Sequence, residues 1–210
     1  MTNDKIIFAS GHPDYANEAA ILIYDSSHEI LDFMFKDKDI AINALVKLYK
    51  KKKGHFSHKF STIAMKDKEI VGLELGYSKK DLDKQDLIGG IYLLISSPLS
   101  LWWHIITKVG PVVDNYVPKA SEGSYYLNNL AVNTKKRSGG VGRLLLENIT
   151  KRAKKSGYSN IEGDVTKVNI RAIKFYEKNG YVQISESNNQ EEYKKLGLPP
   201  LVRIIKKLNI

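Results

Sequence analysis

The feature that most constrains the fold of this chain is the run from Tyr125 to Glu186, where strand-like and helix-like segments alternate. Tyr125 to Val132 reads as an apolar strand and is followed by a basic, glycine-rich turn. Val141 to Ser156 then has helical spacing, with Val141, Leu144, Leu145, Ile149 and Ala153 on one stripe and Gly157 as a stop. Asn160 to Thr166 reads as a second strand, Asn169 to Asn179 as a helix stopped by Gly180, and Tyr181 to Glu186 as a third strand. Neither a strand nor an amphipathic helix buries its apolar side alone, so this alternation calls for helices packed on a sheet, an α/β architecture.

The rest of the chain is arranged around that unit. Residues 15–35 carry Ala16, Ala19, Ala20, Ile23, Ile30, Phe33 and Met34 at helical spacing after Pro13-Asp14, which predicts one helix. A second helix is expected from Ile40 to Lys53, ended by Gly54, its closing lysines opposing the negative end of the helix dipole. Phe60 to Lys66 and Glu69 to Tyr77, rich in Ile and Val and separated by Asp67-Lys68, predict an antiparallel hairpin. Ser78 to Ile95 is expected to be mostly helix despite Gly89-Gly90, and Val202 to Leu208 a last strand after Pro199-Pro200. Ser96 to Ala120 is the irregular part: both tryptophans, three prolines and apolar residues without a clear period. It is expected to be an insertion, with a lid, a subunit interface (a homodimer) and an extension of the core as the alternatives.

A length of 210 residues suits one domain over 1–210 with a substantial core. With no cysteine, the chain lacks a disulfide framework, thiolate metal ligands and a cysteine nucleophile. The five histidines, at 12, 28, 55, 58 and 104, show no ligand clustering beyond His55 and His58, so no metal is expected. The opening residues carry no signal-peptide pattern, and the apolar runs fall short of the roughly 20 residues of a membrane helix, so a soluble cytoplasmic protein without a membrane partner is expected. The net charge of +10 attracts anions, whether nucleic acid, an anionic surface or a phosphate-rich small molecule, or simply reflects a lysine-rich solvated surface.

The chemistry points to Arg137-Ser138-Gly139-Gly140-Val141-Gly142, between a strand and a helix. A helix N-terminus presents amides with no partner in the helix, glycines let a phosphate approach the backbone, and Arg137 adds a charge. The mononucleotide fingerprint is missing its Gly-Lys-Ser/Thr, and the dinucleotide fingerprint would need a glycine where Leu145 stands. Alone, the turn is equally a structural strand-to-helix connection.

Taken together, Leu130-Ala131-Val132, Arg137-x-x-Gly140-x-Gly142 and Asn169-x-x-Ala172-x-x-x-Tyr176-x-x-x-Gly180-Tyr181 resemble the GNAT superfamily of acyl-CoA-dependent N-acyltransferases over Tyr125 to Glu186. The resemblance implies a mixed, mostly antiparallel twisted sheet splayed between its fourth and fifth strands and flanked by helices, with acetyl-CoA as co-substrate and its pantetheine arm in the split. The backbone of Leu130, Ala131 and Val132 would pair with that arm as an added strand. Ser138, Gly139, Gly140, Val141, Gly142 and Arg143 would hold the pyrophosphate, with Arg137 beside them. Asn169 would contact the arm, a role compatible with capping its helix. Tyr176 would stand by the thioester sulfur and protonate the departing thiolate, which a phenol of pKa about 10 can do; the alternative is a core tyrosine.

The acceptor implied is an amine, on a small molecule or a protein. An alkylammonium of pKa about 10.4 must lose a proton before it attacks. If Leu130 and Val132 face one way, strand alternation puts Tyr126 and Asn128 on the same side, and neither is an efficient base. Glu162, Asp164, Glu74 and His104 are the remaining candidates, each expected to be a surface residue, beside a water chain to solvent. Two other readings keep the fold without the chemistry: a silent acyl-CoA sensor, and a basic RNA- or ribosome-associated module, for which no interleaved aromatic and basic strand is present.

Overall fold

A computed structural model of the chain describes residues 5–133, 140–186 and 190–209. Its strands are β1 (Ile7–Ser10), β2 (Ser61–Lys66), β3 (Glu69–Ser78), β4 (Ser124–Val132), β5 (Asn160–Thr166), β6 (Val182–Glu186) and β7 (Leu201–Lys207), joined in one sheet of order β1-β2-β3-β4-β5-β7-β6. Every neighbouring pair is antiparallel except β4 and β5. A parallel pair needs a crossover, and α7 (Val141–Lys155) makes it, burying Val141, Leu145, Leu146, Ile149 and Ala153.

The β4–β5 pairing ends early. Ser124, Tyr125 and Tyr126 pair with Asn160, Ile161 and Glu162, after which β4 runs on to Val132 beside β3 alone. The sheet therefore splits between its fourth and fifth strands, as the resemblance implies. α1 (Ala16–Ser26), α2 (His28–Phe35) and α3 (Lys38–Tyr49) cover one face, packing with Leu73, Leu75, Tyr126 and Ala131. α7 and α8 (Ile170–Lys178) cover the other, against Tyr125, Leu127, Ile161 and Val165.

Three expectations are corrected. The single helix over 15–35 is two, because Ser27 leaves the helical region at φ −149°, ψ 33°. The break is held from the sheet: the Asn129 side-chain amide donates to the hydroxyls of Ser26 and Ser27, each at 2.9 Å.

The stretch from Ser96 to Ala120 is largely helical. After α4 (Lys79–Ser96) come a 3-10 turn, α5 (Trp102–His104), a π-helical turn over Ile105–Val109 and α6 (Gly110–Tyr116). The buried residues Leu101, Ile105 and Val109 are spaced by four, and the wide turn blurs the ordinary helical period. Pro111 stands just after the π-helical turn, where the change from the wider turn to α6 takes place.

The third correction concerns β4. Asn129 pairs with Leu75 but Leu127 with Gly76, so Asn128 is the extra residue of a β-bulge. The bulge breaks the alternation: Tyr126 and Ala131 face α1–α3, whereas Tyr125, Leu127, Leu130 and Val132 face α7. Tyr126 thus lies on the opposite side from Leu130 and Val132. The polar stretch after β6 also holds a short helix, α9 (Gln190–Lys195).

Candidate active site

The split opens into a cavity of about 990 Å³. Leu130, Ala131 and Val132 line it from β4, Gly140, Gly142 and Arg143 from the start of α7, and Asn169 and Tyr176 from α8 and its cap. Val141 is buried beneath, against Ala64, Val71 and Leu145. Arg137, Ser138 and Gly139 lie outside the described residues. Eight residues singled out in three separate stretches of sequence therefore border one cavity.

The local geometry follows from residue type. Gly140 is the N-cap of α7 at φ 67°, a left-handed conformation that costs glycine nothing, and among the described residues no side chain caps the amides behind it. The first turn of α7 is left open to an acceptor. At α8 the Asn169 side-chain oxygen accepts from the Ala172 N–H at 3.0 Å, so the capping role is realised.

Tyr176 stands on the buried face of α8, its ring edge-on to Phe175 and Tyr181 at centroid distances of 5.5 and 5.3 Å. Burial pushes its phenol above the ordinary value, and no charged neighbour or side-chain hydrogen bond perturbs it further. The group stays protonated at neutral pH and borders the cavity.

The four candidate bases are not surface residues. Glu74 is fully buried on the α7 side, where it accepts from the Tyr125 hydroxyl and from Arg152 at 3.0 Å, off the cavity. Burial raises its carboxyl against the pull of Arg152. Glu162 accepts from the backbone and hydroxyl of Ser121, and Arg203 lies 3.4 Å away. The His104 ring bonds the Phe33 carbonyl at 2.9 Å, and neither it nor the two tryptophans border the cavity.

Only Asp164 of the four reaches the cavity. Its oxygens accept from Arg203 at 2.7 and 2.8 Å and from the Tyr126 hydroxyl at 2.9 Å. Burial lifts its carboxyl above the ordinary range while Arg203 pulls it back. With both oxygens occupied, it is a poor place for an amine to leave a proton. Arg203, to which no sequence motif points, also donates to the carbonyls of Pro118 and Lys119 and so fastens the strand approach to β4.

Glu29 is a second residue that the motifs do not single out. It lines the cavity from the first turn of α2, half-buried, and meets the Thr166 hydroxyl at 3.4 Å and the His28 ring at 3.6 Å. The sequence offers only a weak signal, a Ser26-Ser27 pair before an acidic residue, and the helix in fact starts after Ser27 with Glu29 in its first turn. Among the described residues, five carboxylates line the cavity: Asp164 and Asp83 are ion-paired with Arg203 and Lys79, Glu29 has the His28 ring beside it, and Asp25 and Asp114 are exposed.

Among the described residues no group of three or more His, Asp or Glu could hold a metal ion, and no helix is long and apolar enough to cross a membrane. Solved structures share this fold. An N-acetyltransferase from Staphylococcus aureus Mu50 superposes with a TM-score of 0.73 at 17% identity, over 95% of this chain and 99% of that one. An acetyltransferase from Bacillus subtilis in complex with CoA gives a TM-score of 0.56 at 15% identity, over 98% and 99%. The E. coli ribosomal-protein-S18-alanine N-acetyltransferase gives 0.56 at 11%, over 98% and 96%. At such identities the likeness speaks for the fold. The sequence itself carries further, because the model of the acetyltransferase (GNAT) family matches residues 41–181. With two thirds of its length matched and its sheet split between β4 and β5, the chain belongs to the GNAT acetyltransferase family.

Proposed function

We propose that this acyltransferase moves the acetyl group of acetyl-CoA onto an amine by direct attack within a ternary complex. The observation that carries the reading is the convergence of an open β4 edge, the uncapped start of α7 and Tyr176 on one cavity. Beyond Tyr126 the β5-facing edge of β4 has no strand partner, so its backbone groups are free to bond a pantetheine arm along Leu130 to Val132. Amides at Gly140 to Arg143 suit a pyrophosphate, with the helix dipole adding to their pull. Arg137, Ser138 and Gly139 belong to the same proposed site by their place in the sequence motif. Asn169 caps α8 and borders the arm.

On the acceptor side, Asp25, Glu29 and Asp114 attract an ammonium, and Glu29, the least exposed of the three, acts in the lowest dielectric. The ammonium loses a proton to solvent water, and the neutral nitrogen attacks the thioester carbonyl. The C–N bond forms, the C–S bond breaks, and Tyr176 donates to the departing sulfur. The proton then shed by the new amide nitrogen passes through water to restore the Tyr176 phenol. We infer further that the chain is one catalytic unit over 1–210, with the residues after Val109 walling the acceptor side.

The test is calorimetry with coenzyme A, paired with thiol release from acetyl-CoA over a panel of primary amines. Binding with turnover of an amine is expected. Absence of coenzyme binding overturns the reading, and binding without turnover on any amine makes the chain an acyl-CoA sensor.

A further inference from the structure

Beyond the split the cavity continues along the α1–α3 side of β4, where its wall turns apolar. Leu31 and Met34 come from α2, Tyr77 and Tyr126 from the sheet, Leu93 from α4 and Val113 from α6. The glycine pair inside α4 borders this part. Glycine weakens a helix, so its presence asks for a reason. At Gly89 the reason is contact, because a Cβ there would come within 2.6 Å of the His55 ring. At Gly90 a Cβ would meet nothing within 4 Å, so the missing side chain leaves room at the cavity's edge.

The cavity thus offers the carboxylates of Asp25 and Glu29 at the break between α1 and α2, and an apolar wall further on. We propose that the wall takes the apolar body of the acceptor, which makes the acceptor a hydrophobic primary amine, its ammonium turned toward Glu29. This inference rests on the transferase reading above. A polyamine is the competing acceptor, because Asp114, next to Val113, offers its second charge a carboxylate; turnover of hexamethylenediamine above that of hexylamine would overturn the inference in its favour. The tail of a longer acyl donor would fit the apolar wall but has no charge for Asp25 and Glu29 to meet.

The experiment measures kcat/KM for ethylamine, butylamine and hexylamine with acetyl-CoA, in the wild type and in Gly90→Phe, beside the coenzyme A affinity of both. In the wild type each added methylene should raise kcat/KM by about fourfold, the worth of burying one CH2. Gly90→Phe, which fills open space, should lower hexylamine turnover at least tenfold, relative to ethylamine, with coenzyme A affinity kept. A flat amine series overturns the inference, as does coenzyme binding without turnover of any alkylamine, and both leave the donor site standing. A rise along acetyl-, butyryl- and hexanoyl-CoA instead, with the Gly90→Phe effect confined to hexanoyl-CoA, overturns it in favour of an acyl-chain pocket. Loss of coenzyme A binding in the wild type removes the transferase reading itself.

Discussion

Tyr176→Phe is the substitution that isolates the proposed chemistry, because the structure separates its effect on rate from its effect on stability. The ring is buried to 9% exposure and packs edge-on against Phe175 and Tyr181, contacts that phenylalanine keeps. Burial shifts the phenol, and among the described residues no side chain hydrogen-bonds it, so its removal orphans no partner there. Stability should therefore change by no more than about 0.5 kcal/mol. If Tyr176 donates to the departing sulfur, kcat should fall roughly 10²-fold, about 2.7 kcal/mol of barrier, while acetyl-CoA affinity stays within twofold. The assay is thiol release at saturating acetyl-CoA and amine, with a thermal melt of the same preparation. Tyr126→Phe is the contrasting control: it deletes a 2.9 Å hydrogen bond to buried Asp164 and should cost about 1–3 kcal/mol of stability. A wild-type kcat in Tyr176→Phe, with an unchanged melt, would show that the thiolate leaves unaided and that Tyr176 is only a core residue.

Further outcomes follow from the same geometry. Gly140→Asp should lower acetyl-CoA affinity at least tenfold, about 1.4 kcal/mol, because it sets a carboxylate at the open start of α7, where a Cβ meets nothing within 4 Å; unchanged affinity in calorimetry would remove the pyrophosphate site. Arg203→Met strands Glu162 and Asp164 as buried charges and should cost about 3–5 kcal/mol, read as a melting point lower by roughly 10 °C, and a shift of under ~2 °C would contradict the buried pairing. Asn169→Ala should lose about 1 kcal/mol of stability with its cap, and only a simultaneous fall in acetyl-CoA affinity supports the second role toward the pantetheine arm.

What the sequence determined by itself was local. The bounds of β5, Asn160–Thr166, match the expected strand, the hairpin of β2 and β3 falls within a residue of its expected limits, and Asn169 caps the helix it was expected to begin. Periodicity and capping act over one or two turns of chain, so they are written in neighbouring residues. That Gly140, Gly142, Arg143 and Tyr176 would border one cavity was legible through motifs of fixed offset within one strand, turn or helix. What lay further apart was not. The bulge at Asn128 is set by the residue β3 brings opposite, and it alone decides that Tyr126 faces the helices α1–α3 rather than α7. Glu162 and Asp164 read as surface carboxylates until Arg203 arrives from β7, far along the chain, and only then can they be buried. Glu29 reaches the cavity because Asn129, from β4 far along the chain, holds the helix break open at Ser26 and Ser27. A charge's depth and a side chain's facing are properties of the partners that folding brings to it, which is why the tertiary structure, and not the sequence alone, decided which residues face the cavity.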